Sequence, residues 1–196
     1  MKMLMLTDLQ RLPVPQQFRI QSRAYLDAAL NLATDLCDES TAGAATYADG
    51  AVAMYLANHA LELFLKGAIL ELRPGENFVA QGHEVVQLEA WYRKLYPNKA
   101  FRLSMPIGDG EVQLAEPNPD LEQELAKRAA DLRKRMPTDQ FLRYPADRKG
   151  TPWEQVEPMA AAYIPAMYLT TLQRLRDDFA RIEALLKPAA PEGPTR

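Results

Sequence analysis

One segment constrains the fold more than any other. From about Tyr47 to Arg73 the chain is apolar around most of a helical circumference, through Val52, Met54, Leu56, Leu61, Leu63, Phe64, Leu65, Ile69, Leu70 and Leu72. A helix apolar on nearly all sides has to be enclosed by others, so this run predicts the central helix of a bundle. Pro74-Gly75 ends it, because proline cannot continue a helix and glycine accepts the turn geometry. Before it, Phe18 to Glu39 contains neither Gly nor Pro. Ile20, Ala24, Leu26, Ala28, Leu30, Leu32, Ala33 and Leu36 recur there at helical spacing until Ser40, Thr41 and Gly43 break the pattern. After it, Val85, Leu88, Trp91, Tyr92 and Leu95 predict a shorter helix from Glu84 to Tyr96, closed by Pro97.

The period then changes. Phe101, Leu103, Met105 and Ile107 alternate with polar or neutral positions, Gly108-Asp109-Gly110 follows, and Val112 and Leu114 resume the alternation. Period-two alternation around such a turn predicts a small β-hairpin over about 101–115, packed on the helices. A polar helix is expected from Leu121 to about Arg135. Pro137, Pro145 and Pro152 then fall in an irregular stretch holding Phe141, Tyr144 and Trp153. Last comes a long helix from about Glu154 or Met159 to Leu186, kinked near Pro165. The expected fold is all-α: an up-down bundle of four to five main helices with the hairpin inserted. It forms one domain over 1–187, followed by a Pro-rich tail, 188–196, read as disordered.

Composition removes several function classes. The chain has 196 residues, enough for one domain without a disulfide or metal staple. A single cysteine, Cys37, excludes a disulfide framework and any Cys-rich zinc site, and two histidines, His59 and His83, leave little for a transition-metal site. No metal or cofactor is therefore expected. No window approaches the ~18 consecutive apolar residues of a membrane span. Met1 to Leu12 is interrupted by Asp8 and Arg11 and lacks a secretory cleavage pattern, so a cytoplasmic protein with no membrane partner is expected. No phosphate-binding glycine loop, dinucleotide fingerprint, nucleophile elbow or di-iron element is present.

Three constellations remain. Asn58, Glu62 and Lys66 lie four residues apart and draw a polar stripe along the otherwise apolar run, with His59 beside it, one turn from Leu56 and Leu63. Such a stripe is either a hydrogen-bonded tie between helices or the lining of a pocket. Gly82-His83-Glu84 is read as a helix start. Between Lys127 and Lys149, eight basic residues face three acids; the net charge of −3 thus hides a +5 segment against −8 elsewhere. That segment is either a solvated face or a contact for nucleotide or RNA, with Arg143, Tyr144 and Arg148 as its centre and Trp153 as a stacking surface.

The run Asn-His-Ala-Leu-Glu-Leu-Phe-Leu-Lys-Gly-Ala at 58–68 resembles the helix-two signature of HEPN domains, the higher-eukaryote and prokaryote nucleotide-binding family. Gly82-His83-Glu84-Val85-Val86-Gln87-Leu88 is similar to that family's entry to helix three. The resemblance covers about Phe18 to Tyr96 and the last long helix. It implies an all-α bundle, commonly a homodimer, often in prokaryotic toxin–antitoxin or defence settings. Active members are metal-independent RNases with an Arg-x4–6-His motif near the start of a late helix. This chain departs from that motif: no His occurs after residue 83, so neither Arg143 nor Arg148 has a His partner. The expectation is a non-catalytic HEPN-like binding or oligomerisation module for a nucleotide, RNA or partner protein. The alternatives are an RNase-type enzyme with an altered site around His59 and the Arg143–Arg148 loop, and a structural helical protein without a ligand.

Overall fold

The computed structural model describes residues 6–41, 43–78, 84–105, 127, 131, 142–143, 146, 149–152 and 164–186. Five α-helices are formed among them: α1 (Leu6–Gln10), α2 (Val14–Thr41), α3 (Tyr47–Leu72), α4 (Val85–Leu95) and α5 (Pro165–Leu186). Thr46 caps α3, its hydroxyl accepting the Asp49 backbone N–H at 3.3 Å. At the other end Gly75 takes φ +82°, the left-handed conformation that stops the helix after Leu72. The run singled out in the sequence is the central helix: every residue of α3 from Ala60 to Leu70 is buried.

α2 runs antiparallel to α3. Gly67 sits opposite the first turns of α2, Arg19 pairs with Glu71 at 2.6 Å, and further along Tyr25 meets His59. A Cβ on Gly67 would lie 3.0 Å from Phe18 Cβ and 3.1 Å from the Pro15 carbonyl oxygen, so glycine allows this close approach. α5 closes the other side. Phe64 and Phe179 stack with centroids 3.9 Å apart, and the Arg23 guanidinium donates to the buried Glu183 carboxylate at 2.9 Å. α4 is tied to α3 by the Tyr96 hydroxyl, which donates to the Ala68 carbonyl at 2.8 Å.

The expected hairpin is corrected over its described part. Phe101 belongs to a 3-10 turn (Lys99–Phe101), and residues 102–105 form no strand. The alternation there reflects packing against one side: Phe101, Leu103 and Met105 lie on the core, Phe101 against the Tyr96 ring at 4.9 Å. The backbone polar groups find side-chain partners in place of a second strand. Ser104 N–H donates to Asp178 Oδ2 at 2.7 Å, and Arg181 of α5 donates to the carbonyls of Ala100 and Arg102. The rest of the expected hairpin, 106–115, lies outside the described residues. So do the chain upstream of Ile164 assigned to the last helix, the 188–196 tail and most of the 121–135 helix, of which Lys127 and Asp131 are described and helical.

No helix among the described residues is long and apolar enough to cross a membrane.

Candidate functional site

The polar groups of α3 form a longer stripe than the sequence suggested. Tyr55, His59, Glu62 and Lys66 follow one another at spacings of four, three and four, which keeps them on one helical face. Glu62 sits in the middle and is 4% exposed. Its Oε1 accepts from Lys66 Nζ at 2.7 Å, and its Oε2 lies 3.2 Å from His59 Nδ1. The close ammonium pairs with the buried carboxylate, and an unpaired charge there would be expensive to desolvate. Lys66 is itself held over the Phe78 ring, 5.5 Å from its centroid.

His59 stands between two tyrosines. The Tyr55 ring is nearly parallel to the imidazole, with a 4° interplanar angle and centroids 6.1 Å apart. Tyr25 of α2 meets it edge to face at 4.5 Å. The imidazole side chain keeps about a quarter of its surface exposed. Its Nδ1 is taken by Glu62. Nε2 has no hydrogen-bond partner among the described residues and is not one of the polar atoms sealed from solvent. The arrangement thus offers one open ring nitrogen beside two aromatic rings.

From far along the chain, Arg143 places its guanidinium 5.5 Å from the Tyr55 ring centroid. The basic segment and the α3 stripe, separate features in the sequence, therefore meet at Tyr55. Arginine over an aromatic ring combines a planar π surface with a charged fork able to take a phosphate or carboxylate. Among the described residues here, Lys66 and Arg143 are cations, Glu62 is a carboxylate, His59 supplies an imidazole, and Tyr25 and Tyr55 supply phenols.

Of the residues singled out from the sequence, His59, Glu62 and Lys66 are brought into contact, and Arg143 reaches the Tyr55 ring that stands beside His59. Asn58 is buried on α3 at 7% exposure and makes none of these contacts. Tyr144, Arg148, Trp153 and the Gly82-His83 pair lie outside the described residues, while Glu84 precedes α4 as its N-cap residue. Sequence reasoning missed two members. Tyr55 was readable, since it stands four residues before His59 on the same helix. Tyr25 was not, because only the packing of α2 against α3 brings it to the imidazole. Among the described residues no group of three or more His, Cys, Asp or Glu side chains is placed to hold a metal ion. A separate open groove of about 750 Å³, lined by Val14, Phe18, Leu70, Glu71 and Phe78 among others, touches the stripe through Phe78.

Compared with protein-family models, curated proteins and solved structures, the chain matches none.

Proposed function

We propose that the chain is a non-catalytic, HEPN-like helical module that binds a nucleotide or single-stranded RNA across Tyr55, His59 and Arg143. The observation that carries this reading is the seating of the Arg143 guanidinium over Tyr55. Aromatic faces beside cations are what a base and its phosphate require, and stacking of a base on an aromatic ring is worth about 1–3 kcal/mol. Lys66, locked to Glu62, serves the site by keeping that carboxylate paired. The family resemblance adds the expectation of a homodimer working in a toxin–antitoxin or defence setting.

The test is equilibrium binding of a short single-stranded RNA. Arg143→Ala should weaken it and reduce the slope of log K against log salt by about 0.7, one phosphate contact on a single strand. Tyr55→Ala should weaken binding with little change in that slope. Unchanged affinity in both variants refutes the reading.

One observation favours a second reading. The carboxylate of Glu62 on Nδ1 is the arrangement that orients an imidazole for general-base work. RNA cleavage that is lost in His59→Ala would establish catalysis; no cleavage by the unaltered chain would dispose of it.

A further inference from the structure

Protonation changes only one atom of His59. Nδ1 faces Glu62 Oε2 at 3.2 Å, and the Lys66 ammonium donates to the other oxygen of that carboxylate at 2.7 Å. An anionic oxygen accepts and cannot donate, so Nδ1 must carry its hydrogen whether the ring is neutral or charged. The remaining nitrogen, Nε2, is the one with no partner among the described residues. The described titratable or charged groups around the ring are Tyr25 from α2, Tyr55 and Glu62 from α3 with Lys66 behind the carboxylate, and Arg143 over the Tyr55 ring.

We propose that Glu62 is a positioning residue that holds His59 as its Nδ1–H tautomer, making Nε2 the ligand-facing atom of the site. Neutral, Nε2 accepts from a hydroxyl or amino group of the ligand; protonated, it donates to a phosphate oxygen. The ligand half of this rests on the nucleotide- or RNA-binding reading above; the tautomer half does not.

Imidazole ¹⁵N NMR of the full chain tests the tautomer directly, since only two histidines are present and His83→Gln assigns them. Under alkaline conditions His59 should show a protonated Nδ1 and a bare Nε2. In Glu62→Gln the side-chain oxygen stays on the Lys66 ammonium and the amide NH₂ turns to Nδ1, so the tautomer should invert to Nε2–H. A wild-type spectrum showing Nε2–H overturns the proposal without any variant, and a tautomer unchanged in Glu62→Gln removes the positioning role.

The second arm measures binding of the same single-stranded RNA by the wild type and by His59→Gln. Affinity should fall severalfold in His59→Gln, which lacks the ring nitrogen facing the ligand. Unchanged affinity in His59→Gln overturns the ligand half. RNA that binds neither chain overturns the binding reading itself, with the spectrum still deciding the tautomer.

Discussion

Replacing Gly67 by alanine puts a helix-propensity gain against a steric cost, and the structure decides which wins. In an open helix interior the change should stabilise by about 0.8–1.0 kcal/mol, because alanine loses less backbone entropy on folding. At Gly67 the new Cβ would stand 3.0 Å from Phe18 Cβ and 3.1 Å from the Pro15 carbonyl oxygen, where ordinary contact begins at 3.4 Å. Relief therefore needs an opening of about 0.3–0.4 Å. Neither obstacle is the tip of a flexible side chain: one is a backbone oxygen and the other a Cβ, so α2 itself must give way. Overpacking of this kind costs about 1–3 kcal/mol. We expect a net destabilisation of about 1 kcal/mol in urea unfolding, with the midpoint lowered and the m-value unchanged. The displacement lies on the helix that carries Tyr25, so the ring-current shift on the His59 protons should fall as well. A Gly67→Ala chain more stable than wild type would refute the close approach of α2 and α3 and, with it, the placement of Tyr25 at the site.

Three further outcomes follow from the packing. Ser22 Oγ is buried with no hydrogen-bond partner among the described residues, so Ser22→Ala should stabilise by about 1 kcal/mol in the same unfolding assay; a loss of stability would mean the hydroxyl is paired. Phe64→Ala should cost about 3–5 kcal/mol, and a double-mutant cycle with Phe179→Ala should return a coupling of about 0.5–1.5 kcal/mol for the stacked pair; additive effects would contradict the ring geometry. Burial, reinforced by Glu71 and opposed by Arg19, pushes the Tyr96 phenol up to about 12 from its usual 10. The folded chain then holds this proton where the unfolded chain has lost it. Tyr96 should therefore contribute its full stability below pH 10 and lose about 3 kcal/mol as pH rises from about 10 to about 12, an effect that Tyr96→Phe removes from the stability–pH curve.

The helices were legible because their signals are local. The apolar circumference of α3, the Pro74-Gly75 stop and the spacing of Val85, Leu88 and Tyr92 place elements within a few residues of where they stand. The 101–105 segment was misread because alternation reports one-sided burial and does not say what satisfies the backbone. Here Asp178 and Arg181 do so from α5, more than 70 residues away, which no local pattern reveals. The site divides in the same way. Glu62 and Lys66 could be read as an i, i+4 pair, and Tyr55 could have been added by the same rule. The edge contact of Tyr25 and the seating of Arg143 on Tyr55 depend on tertiary packing, so the sequence could offer Arg143 only as part of a charged segment.

Ligand and protein are proposed to meet where Arg143 lies over Tyr55. Chemical-shift mapping of the labelled chain during titration with single-stranded RNA tests this most directly. The largest changes should fall on the Tyr25, Tyr55 and His59 rings and the Arg143 guanidinium, and Arg143→Ala should diminish them all. Changes centred elsewhere, on the Phe18–Phe78 groove or the outer face of α5, would contradict it.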